Sequence, residues 1–394
     1  MKQETATKRK VKYVSARVAL NMRTGPSTDY KIVTTLNRGT AVEIVEDGSW
    51  PKVRENGNTG YVAGRFLSAT KPELVSRDTS SSKSSRVLQT GMNINPDAHG
   101  LDLDQLKGLH WVRFVYKADA KHRDVNHAFT EQYEQLIRAY TGVGIKCLII
   151  INQETVWGNT PWYDGQGDKW SKYANSFAEA AKKIATLCKP FGNKVAYQIW
   201  NEEDSHHDNP SAINIDAENF ALILDRAATA IRQVTSESSI IIGGLNSGPG
   251  NAVAYVRRVK AKLGGRLPVD ALAYHPYGRY VHTDPFYNQQ FGTLQGGLRI
   301  FKQAFPQLPV WITEIGVADN NPIGEEHYEK IANYMRDFVN ELSSNHTQHV
   351  PVLIWFAWTD LMRNAGIKTV DGKLKPHIGN AYQEMVAKGK SKDK

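Results

Sequence analysis

Eight short apolar runs, each closing on polar residues, recur through residues 90–386. They fall at 91–95, 111–116, 145–152, 195–201, 240–245, 271–275, 310–314 and 352–358. Near-continuous apolar character over such short lengths is what a strand buried on both faces requires. Helical spacing separates the runs. Phe220, Leu224, Ala227, Ile231 and Val234 recur every three or four positions and trace one face of a helix. Ser176-Phe177-Ala178-Glu179 reads as a capping box that opens another. Eight strands alternating with helices in about 300 residues predict an α/β fold of the (β/α)8 kind, a TIM barrel. The competitor is an open doubly wound sheet, but no glycine-rich phosphate turn follows the first strand. No internal repeat appears beyond the alternation itself.

Residues 11–68 follow another pattern. Strand signals at 14–20, 32–36, 41–45, 51–54 and 59–62 are separated by Asn37-Arg38-Gly39, Asp47-Gly48 and Asn56-Gly57. Asn-Gly and Asp-Gly pairs supply the positive φ angles of tight turns. The segment predicts a small all-β barrel preceding the larger domain. Residues 69–89 include Thr79-Ser80-Ser81-Ser82-Lys83-Ser84-Ser85, a serine run of low hydrophobicity that marks a linker.

Composition narrows the classes. Hydrophobic residues make up 41% and charged residues 23% of the 394, which excludes a disordered chain. The net charge of +9 is uneven: residues 1–90 hold 16 Lys and Arg against 8 Asp and Glu, and residues 91–394 hold 33 against 32. The front segment is thus the cationic part, suited to an anionic polymer surface or simply to a solvated basic tail. No groove-reading motif accompanies the basic excess, so nucleic acid is not an expected partner. Cys147 and Cys188 both lie on apolar patterns and read as core residues. No run reaches the ~18 apolar residues of a membrane span. Met1 to Thr7 lacks the apolar core of a secretory signal.

Two glutamates break the apolar logic. Glu202 closes Tyr197-Gln198-Ile199-Trp200-Asn201, and Glu314 lies in Val310-Trp311-Ile312-Thr313-Glu314-Ile315-Gly316. Desolvating a carboxylate costs several kcal/mol, so a charge at the end of a buried strand has a partner or a task. In an eight-stranded barrel these positions fall at the ends of the fourth and seventh strands, across one mouth. A salt bridge at the rim would explain either glutamate alone. Together they are the equipment of glycoside hydrolysis.

Two resemblances add to this reading. Leu20-Asn21-Met22-Arg23-Thr24-Gly25-Pro26-Ser27, Arg38-Gly39-Thr40, Gly48-Ser49-Trp50-Pro51-Lys52-Val53 and Gly60-Tyr61-Val62 resemble bacterial SH3-like domains. Such domains commonly tether hydrolases to cell walls, which implies a cell-wall or anionic-polymer ligand. Trp200-Asn201-Glu202 and Thr313-Glu314, with Arg113 in the second strand and Tyr274-His275-Pro276-Tyr277 after the sixth, resemble the clan A glycoside hydrolases of the family 39 and family 5 types. That likeness implies a retaining enzyme acting on β-linked polysaccharide. Glu202 would be the acid/base, with a pKa raised by lost solvation and a neighbouring anion, and Glu314 the nucleophile, kept ionised by Arg113. Asn201 would bond the sugar 2-hydroxyl. His275 and Tyr277 would position Glu202 or touch substrate. Trp358 would stack under the sugar, and Asn152 and Trp157 would line further subsites.

One departure stands out. Clan members often carry proline after the acid, and here Glu203 follows, then Asp204, Ser205, His206, His207 and Asp208. Adjacent histidines point apart and no third ligand lies at a recognisable spacing, so a loop on the leaving-group side is expected rather than a metal site. No cofactor is expected. The alternatives are a peptidoglycan-lytic glycosidase and a silent carbohydrate-binding barrel. The expected setting is extracellular or on the cell wall, as a monomer with a polysaccharide substrate.

Overall fold

The computed structural model describes residues 10–16, 19–37, 39–70, 87–97, 101–118, 124–156, 167–206, 212–279, 292–317 and 324–389. The chain forms two compact units. Trp157, His207 and Asp208 fall outside the described residues.

Among the described residues the first unit contains seven strands: β1 (Val11–Val14), β2 (Ala19–Arg23), β3 (Ile32–Asn37), β4 (Ala41–Glu46), β5 (Lys52–Glu55), β6 (Asn58–Tyr61) and β7 (Leu67–Ser68). They form one antiparallel sheet in the order β3-β2-β6-β5-β4-β1-β7. Val14, Leu20, Met22, Leu36, Val42, Val53 and Val62 pack into its core. Asn56 (φ 43°) and Gly57 (φ 78°) make the two-residue turn of the β5-β6 hairpin, where Glu55 pairs with Asn58. The expected strand at 14–20 is divided. Val14 closes β1, which pairs with β4 and β7, and Ala19 opens β2, which pairs with β3 and β6. An unbroken apolar run does not reveal where a chain changes partners.

The second unit is the expected barrel. Its strands are β8 (Gln89–Asn93), β9 (Trp111–Val115), β10 (Lys146–Ile151), β11 (Val195–Ile199), β12 (Ile240–Leu245), β13 (Ala271–Tyr274), β14 (Val310–Gly316) and β15 (Val352–Phe356). All pair parallel with their sequence neighbours, and β15 closes on β8. Helices lie between them: α1 (Leu103–Leu106), α2 (Val125–Ala128), α3 (Glu134–Gly142), α4 (Gly167–Cys188), α5 (Ala217–Val234), α6 (Pro249–Lys262), α7 (Leu294–Ala304), α8 (Glu325–Asn345) and α9 (Ile378–Gly389). Every residue of β12 is buried, as a strand packed on both faces demands. Both cysteines are buried and free. Among the described residues no helix is long and apolar enough to cross a membrane.

The capping box expected at Ser176 lies inside α4, which opens at Gly167. Buried Trp170, Tyr173 and Phe177 carry the apolar face back ahead of the motif, so packing overrides the local signal. Several strands end one or two residues before their expected polar termini: β11 stops at Ile199 and β15 at Phe356. Those terminal polar residues have left the ladder to build the mouth.

Candidate active site

Arg113 is the hub. It lies on β9, where it pairs with Asn93 of β8 and Leu148 of β10, and it is 2% exposed. A guanidinium so buried survives only if its donors are satisfied. Nη1 donates to Asn93 Oδ1 at 2.7 Å and to Glu314 Oε2 at 2.8 Å, Nη2 to Asn201 Oδ1 at 2.6 Å, and Nε to Gln198 Oε1 at 3.0 Å. One fork thereby fixes four residues from three strands or their ends.

Glu314 lies within β14. The Tyr277 hydroxyl donates to its Oε1 at 2.9 Å. Burial pushes the Glu314 pKa up, but His275, the Arg113 guanidinium and the Tyr277 hydrogen bond together outweigh it, and the net shift is downward. Glu314 is therefore held as an anion. Tyr277 is pushed the other way, by burial first and then by Glu314, so it keeps its proton and remains a donor.

Glu202 follows β11 through a bent backbone. Trp200 (φ 71°) and Glu202 (φ 55°) both adopt the left-handed region. Such conformations cost of order 1–3 kcal/mol and persist where the surroundings over-determine them. The Trp200 indole donates to Ile213 O at 3.0 Å, and Gln198 Nε2 donates to Trp200 O at 2.9 Å. On the Glu202 side, His275 Nδ1 is hydrogen-bonded to Oε1 at 2.8 Å, and His275 Nε2 to Thr313 Oγ1 at 3.0 Å. The ring crosses β12 where Gly244 leaves room: a Cβ there would lie 1.9 Å from Nε2.

One oxygen each from Glu202 and Glu314 and a nitrogen of His275 lie within 4.8 Å of one another. These three donors have the makings of a metal set. The Arg113 guanidinium already supplies the cation on Glu314, and a divalent ion would have to share that space with it. The pair lines a cavity of about 320 Å³ that also meets Asn93, Asn152, Lys117, Phe356 and Arg363. A retaining pair of carboxyls stands about 5–5.5 Å apart, and an inverting pair about 6.5–9.5 Å, to admit a water.

Residues 85–360 match the cellulase family, glycosyl hydrolase family 5, and residues 18–68 match the bacterial SH3 domain. The chain belongs to the cellulase family. Of the two types that the sequence resembles, family 5 is the one whose family model matches, and a family 39 glycoside hydrolase from Bacteroides cellulosilyticus is also similar in fold, with a TM-score of 0.51 at 17% identity over 97% of this chain and 80% of that one. Among solved structures, the family 5 cellulase of a Bacteroidetes polysaccharide utilization locus is similar with a TM-score of 0.58 at 14% identity, over 78% of this chain and 92% of that one. A GH5_18 enzyme from Streptomyces cattleya is similar with a TM-score of 0.57 at 16% identity, over 79% and 82%. At these identities the likeness is one of fold. The probable endopeptidase p60 of Listeria innocua is 36% identical over 80 residues, 19% of this chain and 17% of that protein. The chain thus spans less than a fifth of the length of the curated relatives it matches.

In this family 5 domain, Arg113, Asn201, Glu202, His275, Tyr277 and Glu314 converge on one network. Asn152 lines the same cavity, its Oδ1 accepting from the Glu154 amide at 3.0 Å. Trp358 lies elsewhere. It is 4% exposed, its indole donates to Asp102 at 2.7 Å, and it lines an adjoining cavity of about 290 Å³ with Asp102, Tyr140 and Lys368. Among the described residues the aromatic rings lining the glutamate cavity are Phe114, on β9, and Phe356, which ends β15 two residues before Trp358. Asn93 and Gln198, to which the sequence reading gives no role, belong to the same network. Each is a polar residue inside an apolar strand, and that was the available signal. His206 is exposed, apart from the buried pair that follows Glu202. Glu203 is fully buried, and neither of its oxygens meets a hydrogen-bond partner among the described residues. Asp204 is buried and accepts from the Asn246 amide at 2.9 Å and the Ser247 hydroxyl at 2.5 Å.

Proposed function

We propose that the chain is a retaining glycoside hydrolase that cleaves β-linked polysaccharide by double displacement, directed to a cell wall by its SH3-like unit. The observation that carries the mechanism is the approach of Glu202 and Glu314 to within 4.8 Å. That approach is on the scale of the roughly 5–5.5 Å between the carboxyls of a retaining pair rather than the roughly 6.5–9.5 Å of an inverting one.

Glu314 is the nucleophile. Its carboxylate attacks the anomeric carbon, the bond to the leaving oxygen breaks, and Glu202 gives that oxygen its proton. The glycosyl ester removes the charge on Glu314. Glu202, now a carboxylate, takes a proton from water, which attacks the same carbon. The ester bond breaks, Glu314 leaves as the anion, and two inversions restore the configuration. Arg113 and Tyr277 stabilise the departing carboxylate and hold it in line. His275 orients Glu202. Asn201, fixed by Arg113, is placed for the sugar 2-hydroxyl.

A peptidoglycan glycan strand is the second reading of the substrate. The cationic surplus of residues 1–90 and the match of residues 18–68 to the bacterial SH3 domain favour it.

Glu314→Gln is expected to lower turnover of an aryl β-glycoside at least about a thousandfold. Glu202→Gln is expected to slow substrates with poor leaving groups most, with azide restoring turnover as the glycosyl azide. The product anomer, read by NMR before mutarotation, should be β. An α product, or wild-type rates in either variant, would withdraw the assignment.

A further inference from the structure

We infer that Arg363 is a recognition site for a carboxylate on the glycan, so that the substrate class is an acidic, carboxylate-bearing polysaccharide. The inference rests on the hydrolase reading above and deepens it.

The cavity around Glu202 and Glu314 carries three described cations: Arg113, Lys117 and Arg363. Two are neutralised within the protein. Arg113 pairs with Glu314 at 2.8 Å, and Lys117 pairs with Asp97 at 3.0 Å and Glu154 at 3.5 Å. Two lysines of the loop that follows β15 are likewise paired, Lys368 with Asp102 and Lys375 with Asp360. Arg363, at the tip of that loop, is exposed on the cavity wall and forms no ion pair or hydrogen bond through its side chain among the described residues. In a region where every other described cation has an acid within reach, it is left over.

The loop does not present this side chain by chance of mobility. Arg363 (φ 61°) and Asn364 (φ 53°) occupy the left-handed region in succession, which a Cβ disfavours. The turn is pinned from both sides. The Met362 amide donates to Thr359 O at 3.0 Å, the Asn364 amide to Asp360 O at 3.0 Å, and the Ala365 amide to Met362 O at 3.1 Å. Asp360 also accepts from the Gly366 amide at 3.0 Å and from Lys375 Nζ at 2.7 Å. A strained turn held this firmly fixes the point and direction from which the Arg363 side chain leaves the backbone, and such strain gathers at ligand clamps.

A guanidinium offers a planar fork that matches a carboxylate through two parallel hydrogen bonds. Neutral hydroxyls do not need a full cation. A β-linked glycan offers a carboxylate in two ways: at C5 of a hexuronic acid, or on the lactyl ether of muramic acid.

The test is binding to the whole protein by isothermal titration calorimetry, with two matched pairs of probes. One pair is a glucuronic-acid-containing β-linked oligosaccharide and its carboxyl-reduced form. The other is peptide-free peptidoglycan oligosaccharide and its carboxyl-reduced form. In one pair, wild type should bind the acidic member about tenfold more tightly. Arg363→Gln should abolish that preference without changing affinity for the neutral member, Arg363→Lys should retain part of it, and added salt should shrink it. Whichever pair shows the effect identifies the source of the carboxylate. Equal binding of acidic and neutral members in both pairs, no binding of either acidic probe, or a preference that survives Arg363→Gln would overturn the inference. Cleavage is not needed for this readout, so a failure of the hydrolase reading shows separately in the product assay.

Discussion

Glu314 keeps its charge through a balance that single substitutions can tip. Burial works against the anion, and His275, Arg113 and Tyr277 work for it. Tyr277→Phe removes one hydrogen bond to the charged form, so the Glu314 pKa should rise. The acidic limb of the kcat/KM profile should then move to higher pH, and the rate at the optimum should fall roughly ten- to a hundredfold. A profile with an unmoved acidic limb would separate Tyr277 from the ionisation of Glu314. Legibility at this scale followed cost. The glutamates, Asn201, Arg113 and His275 were visible because a charged or polar group in an apolar strand is expensive. Phe356 was invisible because an aromatic in such a strand reads as core, and Trp358, the more prominent ring, serves Asp102 instead.

Among the elements, β12 shows how a strand makes space for chemistry on both of its faces. Gly243 and Gly244 are consecutive, so a Cβ at each would point to opposite sides. One would meet His275 at 1.9 Å and the other Glu203 Oε2 at 1.7 Å. The strand was legible as an apolar run, but the need for two glycines depends on side chains that arrive from β11 and β13 and cannot be read locally. Glu203 is the costlier guest. Burial, then Asp204 and Glu202, push its pKa well above the usual 4.5. The fold therefore holds a proton that the unfolded chain releases. Its stabilising effect is complete below about pH 4.5 and is lost as pH rises toward the folded-state value. Glu203→Gln keeps the shape and removes the titration. The variant should gain stability relative to wild type as pH increases above that point, measured as denaturant midpoints at pH 4, 6 and 8. A constant difference across that range would mean that Glu203 is ionised in the fold.

Across the whole molecule, the two units divide the work by charge. The larger, with 33 basic and 32 acidic residues over 91–394, is close to neutral, while residues 1–90 hold twice as many basic as acidic groups. This partition was readable directly, as were the eight strands and the front β-module, because composition and period do not depend on tertiary contacts. What the module binds is a matter of surface rather than pattern, and the sequence carries only its sign. An attraction built on exposed charge weakens with salt, because the screening length falls from about 10 Å at 0.1 M to about 3 Å at 1 M. A protein lacking residues 1–84 should therefore hydrolyse a soluble aryl glycoside as the full chain does, since Leu88 and β8 remain to close the barrel. It should sediment less with insoluble cell walls at 0.1 M salt, and 1 M salt should bring the full chain down toward the same level. On insoluble substrate the full chain should be the faster, because a second attachment raises the local concentration without altering the cleft. Equal sedimentation of both proteins at low salt would reject the tether, and a loss of soluble turnover would show that the front unit serves the barrel itself.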